Sequence, residues 1–369
     1  MNPELKKRLI VFGGIGIGLV VLILLIVWVV SMVTGGKMTY AEIEQRMKSA
    51  AMEYYENNQQ LLPSHDGEVS VDVTTLSSAD LMKPLEKLVS KNVSCSGKVV
   101  VKQNGDIYSY IPYLDCGEAY TTVELYKKVI DEKNIVSTDD GLYQMNGEYV
   151  FRGEDVNNYV KIGENVWRIV KVTASGNLQL IYTNSKLKSI WDDRYNVERN
   201  YNVGINDYAV SRIRTYLDDL YANKNEEVTV DLFDDATKEK MIGFDLCYGK
   251  RDENAVNNDG SIECAVKLSN QKVGLLSTYD YINASLDSTC KKATDAQCQN
   301  YNYLGTEGTS WWTITGIQEN TYRVYSVSYT GDMQQSQASN TNYVRPVIQL
   351  SSDVMYQSGS GTAEDPYII

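Results

Sequence analysis

Between Leu9 and Gly36 the chain carries no charged side chain, and residues 9–33 (LIVFGGIGIGLVVLILLIVWVVSMV) are almost wholly apolar. Each helical residue rises about 1.5 Å, so a run of this length covers roughly 30 Å of hydrocarbon with some tilt. Backbone amides in lipid must bond within their own segment, and the run is therefore predicted to be a transmembrane helix. Gly13, Gly14, Gly16 and Gly18 are compatible with that, because glycine is common in membrane helices. A cleaved signal peptide is the alternative. Its apolar region is usually about 7–15 residues and ends at a small-x-small site, which Val29-Val30-Ser31-Met32-Val33 does not supply. Lys6, Lys7 and Arg8 precede the run and only Lys37 follows it closely. The positive-inside rule then predicts a single-pass plasma-membrane protein, with residues 1–8 in the cytoplasm, the bilayer as a partner and the rest outside.

The net charge of −13 lies beyond that run, since residues 1–37 hold four cations against one acid. Binding nucleic acid needs clustered Lys and Arg, so this class of partner is excluded. All six cysteines, Cys95, Cys116, Cys247, Cys264, Cys290 and Cys298, follow the run. An even count in an oxidising compartment predicts disulfides. Zinc is the rival reading, but no C-x-x-C occurs and the single histidine, His65, is remote from any cysteine pair.

Residues 39–62 are predicted to form one amphipathic helix. Ile43, Met47, Ala50, Ala51, Tyr54 and Leu61 recur at helical spacing, and Thr39 with Glu42 forms a capping-box pattern. Pro63 ends it. Further on, residues 98–102 and 106–111 flank Gln103-Asn104-Gly105. Asn-Gly between β-rich runs marks a hairpin, because a type I′ turn needs two positive φ values. Cys95 and Cys116 then meet at the open end, closing a loop of about 20 residues worth about 3 kcal/mol. The apolar N-terminal run, AAMEYYENNQQLLP, and the cysteines of CSGKVVV and YLDCG together resemble the type IV pilin-like proteins over residues 38–122. No acid follows Gly13 or Gly14, as a prepilin leader would require.

Residues 123–147 are polar and charge-mixed, as in a linker. Strand patterns follow, with helices expected at Ser211–Tyr221, near Ala236–Ile242 and after Ser277, where Asp280 supports the cap. The succession NVWRIVKV, SRIRTYLDDLY, VGLLSTYDY, TSWWTITG, VYSVSYTGD and NYVRPVIQL, ending in GSGTAEDPY, resembles a bacterial extracytoplasmic domain family of undefined function. That family looks related to the C-type-lectin-like fold shared with formylglycine-generating enzymes. The resemblance covers residues 148–369. The resulting expectation is an α+β chain: transmembrane helix, pilin-like domain, then an irregular α+β lectin-like domain.

Chemistry is sparse. The cysteines after residue 123 lie in polar segments such as CKKATDAQC, which suits structural bridges better than the reactive pair of formylglycine-generating enzymes. A Ser-His-Asp site has only His65 to draw on. Carboxylate catalysis stays open because acids abound. Calcium is the one cofactor left open, at Asp252 and Asp259 in an acid-rich loop, with a second oxygen-rich stretch around Asp192, Asp193, Asn202, Asn206 and Asp207. Trp311, Trp312, Tyr343 and Arg345 are candidate ligand contacts, although adjacent strand residues face opposite ways and at least one tryptophan is expected to be core. The reading is a non-enzymatic surface protein binding an envelope glycan or protein, with a pilin-like component or a carboxylate enzyme as alternatives.

Overall fold

A computed structural model describes residues 38–369 apart from 65–66, 105–106, 184–185, 198, 226–227, 229 and 306–307. The apolar run 9–33, its cytoplasmic flank, His65 and Gly105 of the Asn-Gly pair lie outside the described residues. The chain divides into two compact units, Met1–Thr122 and Val123–Ile369.

In the first unit, α1 (Tyr40–Glu56) starts at the capping box of Thr39 and Glu42. It ends at two asparagines and not at Pro63. The Asn57 and Asn58 side-chain amides donate to the carbonyls of Glu53 and Tyr54 at 3.0 and 2.7 Å, competing with further helix. Strands β1 (Glu68–Asp72), β2 (Ser96–Asn104) and β3 (Ile107–Asp115) form an antiparallel sheet in that order, with α2 (Val73–Ser78) following β1. Ile43, Met47 and Ala51 of α1 share one core cluster with Val99 and Val101 of β2. The β2–β3 register pairs Ser96 with Asp115, and the next residue outward on each strand forms the Cys95–Cys116 bond.

The second unit is built on strands. They begin with β4 (Val123–Glu124), β5 (Gly141–Met145), β6 (Glu148–Arg152), β7 (Tyr159–Ile162), β8 (Asn165–Val172), β9 (Leu178–Tyr182) and β10 (Lys188–Ile190). They continue through β11 (Met241–Ile242), β12 (Phe244–Tyr248), β13 (Lys250–Arg251), β14 (Val266–Gln271), β15 (Trp311–Ile317) and β16 (Arg323–Val327). The last are β17 (Met333–Gln337), β18 (Thr341–Tyr343), β19 (Val347–Leu350), β20 (Met355–Tyr356) and β21 (Tyr367–Ile368). Helices α3 (Leu125–Val129), α4 (Arg212–Tyr221), α5 (Asp235–Lys240) and α6 (Thr278–Ala284) are short.

One sheet runs β11-β19-β9-β8-β6-β5, with β7 beside β8 and β21 beside β7; the other runs β10-β18-β15-β16-β17, with β13 beside β15. Two pairs, β12–β14 and β4–β20, stand apart. Cys247–Cys264 and Cys290–Cys298 are both bonded. The segment 123–147 supplies β4, α3 and β5, with Leu125 and Val129 buried.

The α+β expectation is corrected here: strand outweighs helix, and the protein is mostly sheet. Among the described residues the longest helix has 17 residues, and none is long and apolar enough to cross a membrane. The physical reason is in the apolar runs themselves. WRIVKV and VYSV are β-branched and aromatic, side chains that pack well on a pleated surface and lose χ1 freedom in a helix.

Candidate functional site

Residues 191–211 connect β10 to α4, and their stem is held from three sides. Trp191 is fully buried and its Nε1 donates to the Thr313 carbonyl at 3.1 Å. The backbone amides of Trp191 and Asp192 both donate to the Ala338 carbonyl. The buried Asp192 carboxylate accepts from the Arg194 amide (3.0 Å), Arg194 Nε (3.0 Å), Arg194 Nη2 (2.6 Å) and the Arg212 amide (3.1 Å). Arg194 Nη2 also reaches the Val210 carbonyl, tying the two ends of the connection together. On the exit side, Asn206 Nδ2 lies 2.8–2.9 Å from the carbonyls of Ile317, Asn320 and Arg323.

Burial pushes the Asp192 carboxyl up, but the bonds from Arg194 and the two amides outweigh it and leave it below the ordinary Asp range. A carboxyl depressed by folding stabilises the fold above its unfolded value of about 3.9 and loses that contribution as pH falls through the folded value. Asp192→Asn is therefore expected to cost about 1–3 kcal/mol at neutral pH. Urea unfolding should show the gap between variant and wild type closing below about pH 4. A gap independent of pH would mean that the charge is not what clips the stem.

The tip of this connection is unlike its stem. Tyr195, Val197 and Tyr201 are 38%, 70% and 85% exposed. Scattered exposed apolar residues are ordinary, whereas three within seven positions of one loop form a patch. The backbone there is specified: Asn196, Arg199 and Asn202 have φ of 55°, 58° and 60°, a region that asparagine tolerates better than most residues. The Asn196 amide donates to the Val203 carbonyl at 2.7 Å, and Tyr195 Oη donates to Asn202 Oδ1 at 3.0 Å. The tip sits on the turn before β16. Tyr195 and Tyr322 have ring centroids 5.3 Å apart at 58°, and Gly204 packs so closely on Tyr322 that a Cβ would meet its Cβ at 2.7 Å. Tyrosine rings and asparagine amides on a braced loop are the composition of adaptable recognition surfaces. The rings give area at small entropic cost, and the amides both donate and accept.

The residues singled out from the sequence fall elsewhere. Trp311, Trp312 and Arg345 are 1%, 0% and 2% exposed. Trp312 Nε1 donates to the Ser189 carbonyl, and the Arg345 guanidinium lies 5.1 Å over the Trp311 ring with its Nε donating to the Tyr182 carbonyl. Tyr343 pairs with Trp311 and is half-buried under Lys188 Nζ, 4.4 Å from its ring. The structure does bring these four together, but with Trp311, Trp312 and Arg345 inside the core and Tyr343 packed against its edge. Every residue of β15 is buried, so neither of its faces offers a ring to a ligand.

Asp252 and Asp259 cap turns. Asp252 accepts from the Asn254 amide, and Asp259 from the amide and hydroxyl of Ser261. The centre of their loop is taken by the buried Arg251 guanidinium, which bonds Glu263, the carbonyls of Ala255 and Asn257, and Asn258 Oδ1. Among the described residues no group of three or more His, Cys, Asp or Glu is placed to hold a metal. Asp252 also shares a hydrogen bond with Glu319, raising the Glu319 carboxyl. In the first unit, a cleft of about 400 Å³ is lined by Asp72, Thr74, Ser77, Leu85 and Cys95 among others, with no aromatic in its wall.

Residues 176–352 match DUF6273, a domain of unknown function. No curated protein and no solved structure matches the chain. The DUF6273 match contains the whole 191–211 connection, β15 to β19 and both disulfides of the second unit. The folded unit is larger than the match: β8 and β21, on either side of it, belong to the same sheet as β9 and β19. The tyrosines of the loop were not anticipated, but the sequence holds a signal for them. Tyr-Asn-Val occurs twice six residues apart, in YNVERNYNVG, within the stretch already marked as oxygen-rich.

Proposed function

We propose that the chain is a non-enzymatic binding protein at the outer face of the plasma membrane, and that its DUF6273 unit recognises a glycan through Tyr195, Tyr201 and Tyr322. The attachment rests on the uncharged run 9–33 and the Lys6–Arg8 flank; three disulfides among six cysteines suit an oxidising exterior. The observation that carries the binding reading is Tyr201. It is 85% exposed on a loop whose stem is braced by a buried, four-times-bonded carboxylate. An aromatic ring left in water stabilises nothing in the fold, and a tyrosine face with flanking amides matches the apolar and hydroxyl faces of a sugar ring. The pilus-component and carboxylate-enzyme alternatives have no comparable feature behind them.

Tyr201→Ala is expected to weaken glycan binding by about tenfold or more while leaving thermal unfolding unchanged. A glycan array followed by calorimetry on the full-length chain measures both. Undiminished affinity in the variant would remove this loop from the binding site.

A further inference from the structure

The 191–204 tip is one end of a longer feature. Strand β17 is the last strand of its sheet, and among the described residues no strand pairs with its outer side. An open edge is usually blunted by lysine, proline or a bulge, because its free N–H and C=O groups invite pairing. The residues of β17 are instead Met333-Gln334-Gln335-Ser336-Gln337, uncharged and amide-rich. Its register on β16 pairs Gln337 with Arg323 and Met333 with Val327. Gln337 therefore lies at the Tyr322 end, where the Ala338 amide donates to the Tyr322 carbonyl, and Met333 at the other.

That other end carries its own exposed tyrosines. Tyr329, 69% exposed, sits in the turn between β16 and β17. Gly331 of this turn packs against Gly305, where a Cβ would come within 2.5 Å of the Gly305 carbonyl oxygen. The 302–305 turn thus brings in Tyr301, 58% exposed, with a φ of 47° that is unusual for so bulky a residue. Tyr322 and Tyr329 lie beyond the two ends of β16, whose 5 residues span roughly 15 Å at about 3.3 Å per residue.

We propose that this edge is a second, extended part of the glycan site: the tyrosines at its two ends stack on sugar rings, and the glutamines between them bond the hydroxyl or acetamido groups of a neutral polysaccharide chain. The inference rests on the glycan-binding reading above and deepens it, from a sugar to a polymer. Neutrality follows from charge. The strip's cation, Arg323, has its guanidinium 5.5 Å over the Tyr322 ring, Gln335 Nε2 already donates to Glu253, and a chain of net charge −13 repels polyanions. Strand addition by a peptide would place alternate side chains in pockets beside the edge, and the half-exposed glutamines of β17 provide no apolar one.

The test is calorimetry on the full-length chain with β-linked N-acetylglucosamine and glucose oligomers from dimer to hexamer. Wild type should bind the hexamer about tenfold more tightly than the dimer or better, because the second contact becomes intramolecular. Tyr329→Ala should remove that dependence on length while keeping dimer affinity, and Gln334→Ala should reduce it. Tyr201→Ala should lose dimer and hexamer alike. Equal affinity for all lengths in wild type, or an unchanged length dependence in both Tyr329→Ala and Gln334→Ala, overturns the extended site and leaves the loop reading standing. Absence of binding to any oligomer overturns both, as does binding of strand-forming peptides in their place.

Discussion

Glu263→Ala is expected to destabilise the second unit by about 3–5 kcal/mol, the cost of leaving one buried charge without its partner. Arg251 and Glu263 are 0% and 2% exposed, with Nη1 and Oε1 2.7 Å apart. The Thr278 hydroxyl donates to the same carboxylate oxygen. Arg251 Nη2 meanwhile holds Ala255, Asn257 and Asn258, so the guanidinium is the centre on which the 252–262 loop is wound. Cys264, next to Glu263, is bonded to Cys247, which closes the same loop at its base. Without the carboxylate, the loop keeps its disulfide, and the guanidinium at its centre is left as a buried charge without its counter-ion. Urea unfolding monitored by tryptophan fluorescence gives the number. The double variant Arg251→Met with Glu263→Leu should recover only part of the loss, since an apolar pair avoids the desolvation penalty but leaves the Ala255 and Asn257 carbonyls without their donor. A loss under about 1 kcal/mol for Glu263→Ala would show that the carboxylate does not hold the loop.

Trp312→Ala should be as damaging, by about 3–5 kcal/mol, through the cavity it leaves in a fully buried strand. Its indole also gives up the bond to the Ser189 carbonyl, which ties β15 to β10 and so to the base of the recognition loop. Glycan binding by this variant is expected to fall only in step with its folded fraction. Tyr201→Ala should do the opposite, losing affinity and keeping stability. Measuring unfolding and binding on both proteins separates a core aromatic from a surface one. A stable Trp312→Ala protein that no longer binds would return this tryptophan to the site.

Several local features were legible in the sequence. The capping boxes at Thr39 with Glu42 and at Ser277 with Asp280 are present, as is the Ser211 cap of α4. The hairpin around Asn104 and its Cys95–Cys116 closure are also there. Each involves residues a few positions apart, or a pairing that one turn dictates, so spacing alone carries the information. Trp311 and Trp312 were misplaced for a related reason. Alternation along a strand says which way a side chain points, but not what lies there. Both faces of β15 are covered, as expected of an inner strand and not of a sheet with one wet face. Tyr195 and Tyr201 look like any loop tyrosines until their stem is seen to be locked.

By itself the sequence determined the apolar run and its flanking charge, the paired cysteines, the helix caps and the hairpin, all set by short-range sterics, hydrogen bonding and solvation. Only the tertiary structure decided which aromatics meet water and that the fold is mostly sheet. Those outcomes depend on partners far apart in the chain: Trp191 reaches Thr313 across 122 residues and Asn206 reaches Ile317 across 111. A residue's exposure is a property of what packs on it, and no local spacing encodes a neighbour that distant.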